Sequence, residues 1–165
     1  MTGRVLYDHE PSPLGPLLLT SDGEALTGVF MESHRHGPTV GADWVRDAAP
    51  FGAVREQLAA YFAGDLREFS LAVRPLGTPF QKAVWTALLG IPYGATESYG
   101  ALARRLGDPG AVRAVGAANG RNPVSIVIPC HRVVGADGAL TGYGGGMENK
   151  RRLLALESPQ GGLFA

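Results

Sequence analysis

The sequence has little cysteine, no surplus of either charge and no long hydrophobic run, and each shortage excludes a class of protein. The single cysteine, Cys130, excludes an intrachain disulfide and a zinc site built from several cysteines, and a lone thiol suits a reducing compartment. The longest apolar runs, such as residues 126–128, are far too short to cross a bilayer. Residues 1–6 carry no long apolar core, so we expect no signal peptide. These shortages predict a cytoplasmic protein with no membrane partner.

What the chain does contain is enough apolar material for a core and an uneven distribution of charge. Of its 165 residues, 45% are hydrophobic, which excludes a disordered protein. Fifteen basic and fifteen acidic side chains cancel, and a neutral total by itself disfavours a nucleic-acid partner. Residues 1–78, however, hold 6 basic against 10 acidic groups (net −4), and residues 79–165 hold 9 against 5 (net +4). The basic half either faces phosphates or has an ordinary solvated surface.

The first half has the pattern of a small sheet with one helix. Turn-forming residues separate three apolar runs, which predict a meander of strands over residues 5–7, 17–20 and 26–30. Residues 34–49 are polar and irregular and predict a loop. Val54, Leu58 and Phe62 recur at helical spacing, with Gly64 placed to end the helix.

A break in the pattern near residue 75 predicts a domain boundary. Leu71 and Val73 predict a last strand, and the Arg-Pro-Leu-Gly sequence at residues 74–77 favours an irregular turn. We therefore expect one domain over residues 1–76 and a second over residues 77–165.

The second half predicts helices, two of which have the spacing of a helix-turn-helix. Thr78 is placed to cap a helix that starts at Pro79, and Ser98 to cap a shorter helix that Gly107 ends. A further helix is expected to start at Asp108, after a short turn that contains glycine.

The last of these helices is nearly free of bulky side chains. Residues 111–120 are mostly Ala and Gly, and Gly inside a helix costs about 1 kcal/mol relative to Ala. Close approach of another backbone, of protein or of nucleic acid, would account for them. Arg113, the one long side chain in the middle of this helix, is either solvated or inserted into a groove or base stack.

Cys130 follows an apolar segment, residues 125–128, which predicts an extended chain that ends at a proline. A lone cysteine is most often buried and inert. His131 and Arg132 change that expectation, because a nearby base or cation stabilises the thiolate. Neighbours in an extended chain point to opposite sides, so contact between Cys130 and His131 needs a turn or a bridging water.

A base that activates a thiol needs a partner that orients it. Glu157, on a predicted C-terminal helix, and Asn122, before the apolar segment, are the candidates. The Tyr-Gly-Gly-Gly loop at residues 143–146 offers many free N–H groups, so it either wraps closely round a flat ligand or is a plain turn.

These residues together resemble one family. The Pro-Cys-His-Arg-Val sequence at residues 129–133, preceded by Asn122 and Pro123 and followed by residues 142–146, is similar to the active-site signature of the 6-O-alkylguanine-DNA alkyltransferases. The similarity extends over residues 77–157, with further motifs in the same order at residues 77–81, 84–85, 91–94, 98–100 and 113–116. Residues 1–76 resemble the family's N-terminal domain only in length and pattern.

The resemblance implies an α+β fold and a repair reaction. The fold would be a small N-terminal α/β domain with antiparallel strands, similar to ribonuclease H, followed by a helical winged helix-turn-helix domain that holds the active site. The reaction would be direct damage reversal: 6-O-methylguanine, a larger 6-O-alkylguanine or 4-O-methylthymine is flipped out of duplex DNA bound through its minor groove, and its alkyl group passes irreversibly to Cys130. No cofactor is implied, and a first half without cysteine predicts no zinc or other metal site. A monomer able to cluster on DNA is expected.

The resemblance also implies a role for each catalytic residue. Cys130 would be the nucleophile, His131 a base that acts through a water, and Glu157 the residue that orients His131. Asn122 would support the hydrogen bonds of the site. Tyr99 would help to rotate the nucleotide and would protonate the departing guanine.

Two further groups of residues follow from the same resemblance. The predicted DNA contacts are Arg113, which would fill the gap in the base stack, Tyr99, Ala114, Ala118 and Arg121. The predicted base pocket consists of Tyr143, Gly144, Val133 and Gly142.

The expected product limits how often each molecule can react. Water does not hydrolyse a thioether under mild conditions and the chain has no second cysteine, so one self-inactivating turnover is predicted. Two interpretations from other classes stay open: a DNA-binding sensor without chemistry, and a cysteine hydrolase built on Cys130, His131 and Glu157. Repeated turnover would favour the hydrolase.

Overall fold

A four-stranded sheet forms the centre of the first half in the computed structural model of the chain, which describes residues 4–32, 34, 37–140 and 143–158. Its strands, in the order β3-β2-β1-β4, are β1 (Leu6–Glu10), β2 (Leu17–Ser21), β3 (Leu26–Met31) and β4 (Val45–Arg46). The first three strands are antiparallel neighbours, which confirms the predicted meander. β4 pairs with β1 in parallel, so the prediction of a loop throughout residues 34–49 is wrong there. The short strand is held by Arg46, whose Nε donates to Asp8 Oδ1 on β1 at 2.9 Å.

The predicted strand at Leu71 and Val73 is reduced to a single bridge. Leu26 N–H donates to Ala72 O and Arg74 N–H donates to Leu26 O, both at 2.8 Å. Pro75 follows at once and has no N–H to continue a ladder of hydrogen bonds.

One helix, α1 (Gly52–Phe62), lies in the first half with Val54, Leu58 and Tyr61 buried in the core. It ends as predicted at Gly64, which has a φ of 81° and so takes the left-handed conformation that glycine adopts without strain. Tyr61, in the last turn of α1, is therefore a buried residue of the first half.

Three helices pack together in the second half: α2 (Pro79–Leu88), α3 (Tyr99–Arg105) and α4 (Val112–Gly120). Both predicted caps are confirmed. Thr78 Oγ1 accepts from the Gln81 N–H at 3.1 Å, and Ser98 Oγ accepts from the Ala101 N–H at 3.0 Å. The two caps set where α2 and α3 begin.

The last helix of the helix-turn-helix starts later than predicted. α4 begins at Val112 and not at Asp108, because residues 108–111 form a turn in which Asp108 O accepts from the Ala111 N–H at 3.0 Å. The turn between α3 and α4 is longer as a result, and the order helix, turn, helix is retained.

The remaining elements surround the only cysteine. A 3-10 turn (Cys130–Arg132) leads into β6 (Val133–Val134), which pairs in parallel with β5 (Glu97–Ser98), and the last described helix is α5 (Met147–Glu157). β3 joins the two halves, since Val29 N–H donates to Pro123 O at 2.9 Å and Ser125 N–H donates to Val29 O at 3.1 Å. Buried apolar side chains from both halves form one core. Within the described ranges, every helix is too short or too polar to cross a membrane.

Candidate active site

The segment before Cys130 is not the extended chain that its apolar residues predicted. Residues 125–127 form a turn in which Ile126 has a φ of 73°, a left-handed conformation that β-branched residues rarely adopt. Asn122 holds this turn: its Nδ2 donates to Ile128 O at 2.8 Å, and its Oδ1 accepts from the Val124 N–H at 3.0 Å. A buried amide that bonds two backbone groups thus overrides the local preference for a strand.

The thiol of Cys130 opens the 3-10 turn and is buried. Cys130 and His131 therefore lie in a turn and not on opposite sides of an extended strand. Burial raises the pKa of Cys130 to about 11, and a hydrogen bond from Asn122 and the charge of Lys150 only partly oppose that rise. The resting group is therefore a protonated thiol, which needs a base before it can act as a nucleophile.

His131, the next residue in the chain, is the candidate for that base. Its ring is fully buried, and its Nε2 lies 2.8 Å from Glu157 Oε2. A carboxylate accepts only, so Nε2 carries a proton, and in the neutral ring Nδ1 is the acceptor. Nδ1 is buried and has no hydrogen-bond partner among the described residues. An acceptor nitrogen without a partner is what a general base needs.

Glu157, at the end of α5, is held by more than His131. Arg132 Nε donates to Oε1 at 2.7 Å, Arg132 Nη2 donates to Oε2 at 3.0 Å, and Tyr61 Oη donates to Oε2 at 2.5 Å. Burial acts to raise the pKa of Glu157, but His131 and Arg132 outweigh it and hold the pKa at about 2. The group is thus a carboxylate at neutral pH.

Several polar groups near the thiol were not found from the sequence. Lys150 is fully buried and its Nζ donates to Val133 O at 2.6 Å. Burial lowers the pKa of Lys150 to about 8, against the influence of Cys130. Tyr143 Oη and Ser125 Oγ are buried in the same region: neither makes a hydrogen bond of standard geometry to a described residue, but Tyr143 lies close enough to Ser125 and Cys130 to interact with both.

One more amide belongs to this group. Asn119, at the end of α4, donates from Nδ2 to Cys130 O at 3.3 Å, and its Oδ1 is also without a described partner. Buried polar atoms normally have partners, so unpartnered atoms that collect round one thiol indicate a place for a polar ligand or water.

Three of the four residues predicted to form the base pocket are among the described residues. Tyr143 and Gly144 are buried, and a Cβ on Gly144 would lie 3.1 Å from Gly120 O, so the loop approaches the end of α4 as closely as glycine allows. The carbonyl of Val133 is engaged by Lys150. Gly142 lies outside the described residues. The role of this loop in binding a base stays a prediction.

The predicted DNA contacts divide into exposed and buried residues. Arg113 and Ala114 on α4 and Arg121 after it are exposed, and Tyr99 at the start of α3 is half-buried. Ala118 is only 3% exposed and its carbonyl accepts from Trp85 Nε1 at 2.8 Å, so little of its surface is available in this structure and its contact with DNA stays a prediction. Ala118 lies on the face of α4 that packs on α2.

The two glycines of α4, Gly116 and Gly120, differ in what surrounds them. A Cβ on Gly116 would lie 3.8 Å from the Tyr99 ring, so α4 approaches α3 closely there. No described atom lies within 4 Å of the place a Cβ on Gly120 would take, and packing within the protein does not account for that glycine. Nearby, Glu97 is paired with Arg105, whose Nε and Nη2 donate to it at 2.9 and 2.8 Å.

A sheet-bearing first half, a helix-turn-helix and a thiol beside an imidazole–carboxylate pair define a class of DNA-binding protein with a reactive cysteine. Residues 79–159 match the family model of the 6-O-methylguanine DNA methyltransferase DNA binding domain. Residues 5–75 match that of the 6-O-methylguanine DNA methyltransferase ribonuclease-like domain. The chain belongs to the 6-O-methylguanine DNA methyltransferase family, which confirms the family and the fold class predicted from the sequence.

Individual relatives agree with this assignment over nearly the whole chain. The methylated-DNA–protein-cysteine methyltransferase of Mycobacterium tuberculosis is 53% identical over 151 residues, which cover 92% of this chain and 91% of that protein. The protein of the same name from Methanosarcina acetivorans is 49% identical over 146 residues, with 88% and 94% covered. The crystal structure of Mycobacterium tuberculosis OGT in complex with DNA has a TM-score of 0.89 to this chain at 49% identity, and 96% of each chain is covered.

Proposed function

We propose that this protein repairs alkylated DNA by moving the alkyl group of a 6-O-alkylguanine to the sulfur of Cys130, once per molecule. The observation that carries the proposal is the burial of the chain's only thiol beside His131, whose Nε2 is held by Glu157 while Nδ1 is without a described partner. Family membership supports the reaction class, and the DNA complex of the Mycobacterium tuberculosis relative supports DNA as the partner.

The reaction uses the groups of the site in sequence. The Cys130 proton passes through a water to His131 Nδ1, and the Glu157 carboxylate stabilises the imidazolium that forms. The sulfur then bonds to the alkyl carbon as the bond between that carbon and O6 breaks and leaves its electron pair on guanine. Tyr99 donates a proton to the guanine, and Tyr99 and His131 return to their resting states by exchange with solvent. The product is a thioether and free guanine in DNA.

The proposal is tested by the mass of the intact protein after it has been mixed with a duplex oligonucleotide that contains one 6-O-methylguanine. We expect a gain of one methylene mass on the peptide that contains Cys130, in amounts that never exceed one per molecule, and no gain in Cys130→Ser. An unmodified Cys130 after the oligonucleotide has been repaired would contradict the proposal. Repeated turnover would instead identify a hydrolase.

The exposed side of α4 supports binding through the minor groove, with Arg113 inserted where the flipped base has left the stack. Flipping costs a few kcal/mol, so we expect Arg113→Ala to slow transfer from duplex DNA by about tenfold and to leave transfer from the free modified base unchanged. Arg104→Ala, an exposed arginine on α3, is the matched control. Equal loss on both substrates would contradict the insertion.

The location that we propose for this reaction is the cytoplasm, with the protein acting as a monomer that can cluster on DNA. A free thiol on which the whole activity depends is best preserved in a reducing compartment. Fractionation of the source cells and light scattering with and without DNA test the two parts.

A further inference from the structure

Tyr61 brings the first half of the chain into contact with the catalytic groups of the second. It lies in the last turn of α1, is fully buried, and donates its hydroxyl to Glu157 Oε2 at 2.5 Å across 96 positions of sequence. His131 Nε2 contacts the same oxygen at 2.8 Å. We propose that Tyr61 is a positioning residue for the alkyl transfer: its hydroxyl holds the Glu157 carboxylate against His131 and limits how strongly that carboxylate favours the imidazolium. This inference rests on the proposed function.

The surroundings of Glu157 show why one hydroxyl can matter. Arg132 occupies Oε1 with Nε and reaches Oε2 with Nη2, whereas Tyr61 and His131 share Oε2. The other titratable groups that face the carboxylate are Tyr93 and Tyr143. A strong donor on Oε2 draws negative charge away from His131. Without it, more of that charge faces the imidazole and the protonated ring is favoured.

The Tyr61 hydroxyl is a donor at neutral pH. Burial, together with the charge of Glu157, raises the pKa of Tyr61 well above its usual value, so the phenol keeps its proton. The ring packs against three aromatic rings, those of Phe62, Phe69 and Tyr93, at centroid distances of 5.3, 5.4 and 6.3 Å. Tyr61→Phe therefore removes the hydrogen bond and keeps the packing.

The first test is the pH dependence of single-turnover transfer by the full chain from a duplex oligonucleotide with one 6-O-methylguanine. We expect Tyr61→Phe to lower the saturating rate by about tenfold, because the carboxylate that orients His131 loses one of the bonds that hold it in place, with unchanged affinity for DNA. We also expect the acidic limb of the pH–rate profile to move to higher pH, because His131 must be neutral to accept the thiol proton. Tyr93→Phe is the matched control, since it removes a hydroxyl that donates only to the Leu156 carbonyl, at 3.3 Å.

A second readout does not depend on activity. The carbon-bound ring protons of His131, assigned by their loss in His131→Gln, are followed by NMR as pH is varied. We expect the midpoint of this titration to rise in Tyr61→Phe and to stay at the wild-type value in Tyr93→Phe. If wild-type protein transfers no alkyl group, the proposed function fails, whereas the NMR result still decides whether Tyr61 acts on His131.

A third variant covers the case in which Tyr61→Phe does not fold. Replacement of Tyr61 by 3,5-difluorotyrosine makes the phenol a stronger donor and keeps its shape. We therefore expect the acidic limb of the pH–rate profile and the midpoint of the His131 NMR titration both to move to lower pH. Thermal unfolding identifies the folded variants. The proposal would be overturned if every folded Tyr61 variant kept the acidic limb of the pH–rate profile and the midpoint of the His131 titration at their wild-type values.

Discussion

The buried polar groups of the active site extend from Glu157 at one end to Cys130 at the other, and the surroundings of these two residues differ. The carboxylate end is saturated: Glu157 accepts from Tyr61, Arg132 and His131, and all four side chains are buried. Every donor there has its acceptor within hydrogen-bond distance. This end is held by hydrogen bonds in the absence of substrate.

The thiol end is unsaturated. Among the described residues, His131 Nδ1 and Asn119 Oδ1 are buried without partners, and Ser125 Oγ and Tyr143 Oη are buried without a hydrogen bond of standard geometry, although Tyr143 interacts with Ser125 and Cys130. Each such atom costs free energy in the resting protein unless water or a ligand satisfies it. The contrast shows that hydrogen bonds at Glu157 fix the orientation of His131. Near the thiol, by comparison, polar atoms stay available where a base and a water have to bind.

The largest expected effect comes from breaking the saturated end with Glu157→Gln. Removal of one partner from a buried charged cluster leaves the Arg132 guanidinium uncompensated, so we expect a loss of about 3–5 kcal/mol in the free energy of unfolding. Transfer should be slower by at least about 100-fold, because the imidazolium loses its counter-charge. Urea unfolding and single-turnover kinetics measure the two effects. Glu148→Gln, on the exposed side of α5 and paired only with Arg151, is the control.

The same variant should also change how the free energy of unfolding depends on pH. The pKa of Glu157 is lowered from 4.5 to about 2 in the folded chain, so its contribution to stability is present above pH 4.5 and is lost as pH falls towards 2. That contribution is on the order of 3 kcal/mol. Wild-type stability should fall through this window more steeply than that of Glu157→Gln. Parallel curves would show that Glu157 is not ionised in the way its contacts require.

A smaller effect is expected from Asn122→Ala, which acts on the backbone between the two ends. The amide holds Ile128 O and the Val124 N–H and keeps Ile126 in a left-handed conformation, so we expect a loss of about 2–3 kcal/mol. The thiol would also be displaced, and transfer should slow. Gln57→Ala removes an exposed amide bonded to Ser70 and should cost less than about 1 kcal/mol. Equal losses in the two variants would refute the role given to Asn122.

The smallest effect is expected from the unsaturated end itself. Ser125→Ala removes a hydroxyl whose interaction with Tyr143 falls short of standard hydrogen-bond geometry, so the free energy of unfolding should change by no more than about 0.5 kcal/mol in either direction. Ser98→Ala, which removes the cap of α3, should cost about 1 kcal/mol. A loss at Ser125 larger than that at Ser98 would mean that the thiol end is satisfied by bound water and is not unsaturated.

Local signals predicted the elements well where the deciding residue is adjacent in sequence. Thr78, Ser98 and Gly64 begin or end their helices as expected, because a cap or a left-handed glycine acts within three or four residues. The same reasoning failed at residues 125–128, where an apolar run indicated a strand. There the side chain of Asn122 sets the conformation.

Predictions about side-chain direction were less complete. The resemblance implies a DNA contact at Ala118, and only the structure shows that this residue is buried where α4 packs on α2. Lys150 was detectable, since it lies seven residues before Glu157 and so occupies the same face of α5 two turns earlier. No signal in the sequence pointed to Tyr61.

The sequence by itself determined the family, the prediction of one repair reaction per molecule, and the pair Cys130 and His131. These features depend on residue identities at short and constant spacing. The tertiary structure alone decided that the thiol is buried with a raised pKa, that Glu157 is clamped by Arg132, and that the first half reaches the site through Tyr61. The physical reason is the separation in sequence over which each kind of interaction acts. Capping, turn and motif signals act over a few residues, whereas the ionisation of a buried group depends on which distant side chains packing brings within hydrogen-bond distance.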